Sequence, residues 1–168
     1  DYIRYDEEEG LRIGALTTHR SIEKSPLIRE KFSMLSDMEL TLASMAVRNW
    51  ATVGGSLCSA DPASDLAPSL MALDAQVTLT RSNGERTVLL EDFIFDSFET
   101  MLQEDEILTQ IQVPAKAARG GGIHTKFARR ATDLGIASVA THLTLDKLDP
   151  DICKDIRIVL GAVDPYPH

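Results

Sequence analysis

The chain has 168 residues, a formal net charge of −9, 43% hydrophobic residues and 26% charged residues. That length allows one or two domains with a sizeable core, and the composition is that of an ordinary globular protein. The acidic balance excludes sequence-independent binding to DNA or RNA, which needs a basic footprint. It does not exclude a phosphate-bearing ligand held by backbone N–H groups.

From Leu11 to Leu16 the pattern alternates, with Leu11, Ile13 and Ala15 on one face, and predicts a strand. Thr18 is placed to cap a short helix running through Ser25. Ser25-Pro26 then has the form of an N-cap followed by proline at the first helical position. Met34, Met38, Leu42 and Met45 recur at helical spacing, which points to core packing, with an adaptable binding face as the alternative. Gln76 to Thr80 alternates again, and Arg86 to Leu90 follows after Ser82-Asn83-Gly84-Glu85. Asn-Gly between two such runs predicts a hairpin, because both residues tolerate positive φ.

Ile107, Thr109, Ile111 and Val113 line one side of a later predicted strand that Pro114 ends. Ala115 to Gly122, closing on three glycines, reads as a linker. Three strand-like runs lie beyond it, His124 to Arg129, Ser138 to Leu145 and Ile156 to Val163. The sequence shows no internal repeat and no low-complexity segment. The expectation is an α+β chain with a boundary near residues 115–122.

Cys58 and Cys153 form no disulfide framework and no iron–sulfur or zinc spacing. The histidines His19, His124, His142 and His168 are scattered, so no metal site is expected. No apolar run is long enough to span a bilayer and no signal-peptide pattern opens the sequence, which makes the cytoplasm the expected compartment. The chain begins with Asp1 and stops at Pro165-Tyr166-Pro167-His168, and either end has the look of a cut edge as much as of a natural terminus.

The stretch richest in chemistry runs from Val47 through Leu57 and on to Asp65-Leu66, between one predicted helix and a second over Leu66 to Leu73. Adjacent Gly54 and Gly55 let a backbone approach a ligand and point N–H groups at it, with the Thr52 and Ser56 hydroxyls on either side. Such a loop suits a pyrophosphate or a polyol. Gly-Gly alone also marks a tight turn. Asp65 could accept from ribityl or ribose hydroxyls, or it or Ser64 could simply cap the next helix. Arg48 and Asn49 could be solvated or could brace the loop, and Trp50 defaults to packing.

Val47-Arg48-Asn49, Thr52-Val53-Gly54-Gly55-Ser56-Leu57 and Ala60-Asp61-Pro62-Ala63-Ser64-Asp65-Leu66 together resemble the second FAD-binding motif of the molybdenum hydroxylase flavoproteins, the carbon monoxide dehydrogenase and xanthine dehydrogenase type. Arg12 to Thr18, Ser25 to Arg29, Leu73 to Val77, Phe98 to Thr100 and Asp105 to Leu108 follow in family order, so the resemblance covers nearly the whole chain. It implies the larger α/β subdomain of a PCMH-type (vanillyl-alcohol-oxidase-like) FAD-binding domain over residues 1–115. Residues 116–168 would begin the C-terminal α/β domain of the carbon monoxide dehydrogenase flavoprotein.

By the same resemblance Ala51, Thr52, Gly54, Gly55 and Ser56 lie along the FAD phosphates and ribityl chain. Asp65 accepts from flavin-side hydroxyls, and Leu108 sits against the isoalloxazine ring. Lys126, with Arg130 and Asp133 after it, matches a family stretch near the ring, where a cation would stabilise the reduced flavin. The bland alternative pairs Arg129 and Arg130 with Asp133 on a solvated strand. Many relatives carry Gly or Ser at the position of Ala51, and Asn at that of Ser56.

The implied role is electron transfer with no catalytic residue of its own. FAD is the cofactor, and molybdopterin and 2Fe-2S clusters sit on partner subunits. A stand-alone flavin reductase of the same fold and a flavin-free scaffold or assembly subunit are the alternatives. The family's first glycine-rich motif, Ala-Gly-Gly-x-Ser, has no counterpart here, so the chain by itself is expected to hold FAD weakly.

Overall fold

A computed structural model of the chain describes residues 1–115, 120–146, 149 and 151–168. The expected linker residues 116–119 lie outside the described residues. An antiparallel pair comes first, β1 (Ile3–Asp6) with β2 (Gly10–Gly14). A run of short helices follows: α1 (His19–Lys24), α2 (Pro26–Lys31), α3 (Ser33–Thr41), α4 (Met45–Trp50), α5 (Val53–Ser59) and α6 (Leu66–Met71). The hairpin β3 (Gln76–Arg81) and β4 (Gly84–Leu89) leads through the one-turn α7 (Leu90–Phe93) to β5 (Ile94–Asp96) and β6 (Glu99–Thr100). Then come β7 (Ile107–Val113), β8 (Gly120–Phe127), β9 (Ala137–Leu145) and β10 (Cys153–Gly161).

Among the described residues the strands form a five-stranded sheet in the order β1-β2-β7-β3-β4, a three-stranded sheet β10-β9-β8 and the small pair β5-β6. Every pairing is antiparallel. The helices lie between the two larger sheets, α5 against β7 on one side, α3 against β8 and α6 against β9 and β10 on the other. Leu11, Ile13, Ile22, Leu35, Met38, Leu57, Leu70, Leu79 and Ile111 are fully buried in this core. The α+β expectation therefore holds. No helix among the described residues is long and apolar enough to cross a membrane.

Local chemistry sets the first two helices. Thr18 and Ser25 each accept a hydrogen bond from the third residue beyond, Ser21 and Ile28, and Pro26 opens α2. The methionine stripe does not continue as one helix. Leu42 is extended and Ala43 takes a left-handed φ of 45°, so α3 ends at Thr41. Met34 and Met38 are core, whereas Met45 opens α4 and is exposed. In the hairpin Arg81 pairs with Gly84, so the loop is Ser82-Asn83 and Gly84, at φ 151°, carries the positive value.

The predicted inward face of β7 is also corrected. The β3–β7 register slips between Thr78 and Leu79. A one-residue slip moves side chains to the opposite face. Leu108 therefore points inward with Ile111 and Val113, while Ile107 and Thr109 are exposed. The glycines Gly120 to Gly122 are strand, not linker: a Cβ on Gly122 would lie 2.9 Å from Met34 Sδ, so the missing side chain lets β8 close on α3. The other face of the β8–β10 sheet is apolar and open, with Ile123, Phe127, Ile156 and Ile158 each more than half exposed.

Candidate functional site

Between the helix layer and the segment after β8 lies a cleft of about 610 Å³. Leu42, Ala43, Val47, Trp50 and Leu134 give it an apolar wall, and Thr52, Gly55, Ser56, Ser59, Asp61 and Ser64 a polar one, with Asp65, Lys126 and Asp133 also on its surface. Trp50 is 87% exposed, so the lone tryptophan is part of the cleft wall instead of the core. Arg48 braces that wall. Its guanidinium donates to Glu23 at 2.9 Å and to the carbonyls of Leu42 and Ala43 at 2.6 and 2.8 Å, which fixes the sharp turn between α3 and α4.

The glycine pair is helical. Thr52 caps α5 by accepting from Gly55 N–H at 3.2 Å, and Gly54 and Gly55 form its first turn. Their N–H groups are not a free cradle. Those of Val53, Gly54 and Ser56 donate to the carbonyls of Thr17, Ala15 and Thr52, each at 2.9 Å. The two glycines do different things. A Cβ on Gly54 would meet the Ala15 Cβ at 2.6 Å and its carbonyl at 2.8 Å, so this glycine allows α5 to lie against the chain leaving β2, and it is buried off the cleft. Gly55 faces the cleft, where a Cβ would lie 3.0 Å from the Thr52 hydroxyl. Since Thr52 Oγ1 accepts from Gly55, its own hydrogen is free to donate.

Ser56 sits at the end of a buried chain of side chains. Its hydroxyl lies 2.7 Å from His19 Nε2, and His19 Nδ1 lies 2.8 Å from Glu39 Oε1. His19 and Glu39 are almost wholly buried, and Glu39 Oε2 has no hydrogen-bond partner. Burial pushes the Glu39 carboxyl above its usual range, against the pull of His19.

Asp65 does not cap α6 through its side chain. Its Oδ2 accepts from Lys126 Nζ at 2.6 Å, and Lys126 also donates to the carbonyls of Thr41 and Asp133 at 3.0 and 2.9 Å. All three ammonium hydrogens are thus placed. Lys126 joins α3, α6 and the segment after β8 at the cleft edge. Asp65 Oδ1 stands 3.6 Å from His124 Nε2, and both atoms are buried without a hydrogen bond. Burial, ahead of the opposing pull of Asp65, lowers the His124 pKa.

Of the residues singled out in the sequence, Ala51, Thr52, Gly55, Ser56, Asp65 and Lys126 come together on the cleft. Gly54 stands behind it, and Leu108 lies in the core opposite Leu79 on β3, away from the cleft lining. His19 and Glu39 were not anticipated, because a scattered histidine and a glutamate twenty positions on carry no spacing signal.

Residues 1–116 match the family described as the FAD binding domain in molybdopterin dehydrogenase. The chain belongs to this family. Among curated proteins it is similar to the glyceraldehyde dehydrogenase medium chain of Sulfolobus acidocaldarius, 35% identical over 158 residues, covering 94% of this chain and 55% of the relative. It is similar to the carbon monoxide dehydrogenase medium chain of Hydrogenophaga pseudoflava, 30% identical over 172 residues, covering 98% of this chain and 59% of the relative. The solved carbon monoxide dehydrogenase of that organism superposes with a TM-score of 0.92 over 99% of this chain and 57% of its own, at 30% identity. Quinoline 2-oxidoreductase from Pseudomonas putida gives 0.89 over 99% and 56%, at 29% identity. The chain thus spans a little over half the length of these relatives.

FAD is the cofactor of this family's domain, and the cleft fits it. An apolar wall that includes Trp50 and Leu134 suits a ring system, and the Thr52 and Ser56 hydroxyls suit phosphate or sugar oxygens. Among the described residues no group of three or more His, Cys, Asp or Glu could hold a metal ion.

Proposed function

We propose that this chain is the FAD-holding part of an electron-transfer subunit in a molybdopterin-dependent hydroxylase or dehydrogenase. In such an assembly a molybdopterin subunit oxidises the substrate and an iron–sulfur subunit relays electrons through 2Fe-2S clusters. The flavin subunit passes them to an external acceptor. The observation that carries the reading is the cleft itself: an apolar wall from α4 facing the hydroxyls of α5, in a member of an FAD-binding family. When bound, the flavin supplies a centre that exchanges electrons one or two at a time.

The chain's own residues bind and position. Thr52 and Ser56 would hold oxygens of the cofactor, and the Gly55 surface admits them closely. Trp50, Val47 and Leu134 would cover apolar ring surface and exclude water. Lys126 and Asp65 keep the cleft edge rigid, and no donor of Lys126 is left over for the flavin. Residues 1–115 would form the FAD subdomain and the strands from β8 onward the start of a second domain.

The test is Gly55→Val in the full-length protein. The branched side chain fills cleft space beside Thr52, and FAD per polypeptide after gel filtration should fall at least tenfold with the circular dichroism unchanged. In the assembled complex, substrate should still reduce the iron–sulfur centres while electron delivery to the acceptor stops. Full FAD content in this variant would overturn the site.

A further inference from the structure

Ser56, His19 and Glu39 form a three-member relay from the cleft surface into the core, and nothing in the proposed electron-transfer role requires one. The order of contacts, hydroxyl to imidazole Nε2 and imidazole Nδ1 to carboxyl, is also that of a hydrolytic triad. A nucleophile needs free N–H donors beside it for the developing oxyanion. Here those of Val53, Gly54 and Ser56 are committed to backbone carbonyls and that of Gly55 to Thr52. The relay therefore acts on binding, and the question is which way its hydrogens point.

Glu39 answers it. Its side chain is 0% exposed, one carboxyl oxygen meets only His19, and the other meets no donor. A carboxylate with so few donors is a poor resting place for a negative charge in the core. Placing a proton within the Glu39–His19 pair removes that net charge, and burial raises the Glu39 pKa in the same sense. Whether the proton rests on Glu39 or on Nδ1, the hydrogen at Nε2 then points to Ser56. Ser56 Oγ is left as acceptor from His19 and donor to the cleft.

We propose that His19 and Glu39 are positioning residues that turn the Ser56 hydroxyl into a hydrogen-bond donor toward a phosphate oxygen of the bound cofactor. The inference rests on the FAD reading of the cleft. It gives Ser56 a defined polarity, whereas an unassisted serine could face either way. An anionic acceptor also gains most from a donor that is itself polarised by a chain of hydrogen bonds.

The decisive measurement is the protonation pattern of the His19 imidazole in the full-length protein, read from its nitrogen-15 shifts and two-bond couplings. A hydrogen on Nε2 is expected. A ring protonated on Nδ1 alone overturns the proposal, and this needs no variant. In parallel, Ser56→Ala should weaken FAD binding roughly ten- to hundredfold, the value of one hydrogen bond to a charged group. It should also move the phosphorus-31 resonance of the bound FAD pyrophosphate.

A lone change at His19 would strand Glu39, so the pair is replaced together, His19→Phe with Glu39→Leu. That variant should bind FAD several-fold more weakly, and adding Ser56→Ala should make it no worse than Ser56→Ala alone. Multiplying losses would show that the pair does not act through Ser56, and a phosphorus resonance unmoved by Ser56→Ala would show that Ser56 does not donate to the pyrophosphate; either result overturns the proposal. FAD lost from Gly55→Val but kept by Ser56→Ala sinks only the relay. FAD kept by both sinks the cleft.

Discussion

The Lys126 ammonium directs its hydrogens to Asp65 and to two carbonyls on different elements, with both charged side chains about 5% exposed. Removing one member of such a pair leaves a buried charge, at a cost of about 3–5 kcal/mol. Lys126→Met should therefore lower the unfolding free energy by that order in a urea titration. Lys126→Met combined with Asp65→Leu should recover a large part, since an apolar replacement of both members is often tolerated. A single variant as stable as the parent would mean that the pair is not formed in solution. The glycines supply a sharper contrast. Gly54→Ala drives a Cβ into Ala15 and should cost roughly 1–3 kcal/mol. Gly55→Ala, at the open position, should change stability by less than about 1 kcal/mol, because alanine favours the helix.

Elements whose ends are set by neighbouring residues were readable from sequence. Thr18, Ser25 and Pro26 start α1 and α2 as expected, since a cap is chemistry within three residues. The slip in β7 was not readable. It depends on how β3 pairs, and it reverses which side of the strand Leu108 occupies. The helical state of Gly54-Gly55 was hidden too, because glycine disfavours helix and the carbonyls of Ala15 and Thr17 come from a distant segment. Most of the cleft residues were legible as a motif, whereas the His19–Glu39 contact was not, being a product of how α1 packs on α3.

The same scale carries an acid-stability prediction. Arg86 on β4 grips Glu106, just before β7, through two hydrogen bonds, and together with the Gln103 N–H this lowers the Glu106 pKa to about 2. The folded value lies below that of the unfolded chain, so the contribution is complete above the ordinary glutamate range and disappears as pH falls toward 2. Arg86→Leu should flatten the fall in stability across that window, as followed by thermal unfolding at stepped pH. An unchanged slope would count against the pair.

At the level of the whole molecule, two sheets share one helix layer, and the three-stranded one leaves a cluster of apolar side chains on its outer side. On the outer side of the three-stranded sheet, Ile123 and Ile158 flank Thr141 across the strands, and Ile156 and Phe127 extend the same surface. These 168 residues by themselves, fully folded, should bind an apolar dye such as anilinonaphthalene sulfonate, the behaviour usually taken as the mark of a molten globule. The two states are separable, because here the dye signal should coexist with a sharp near-ultraviolet dichroism spectrum and should fall on unfolding. Phe127→Thr with Ile158→Thr should dim the dye while shifting the urea midpoint little, as expected for exposed positions. Dye fluorescence is thus a gauge of this one sheet face, and a screen that equates brightness with misfolding would discard correctly folded protein.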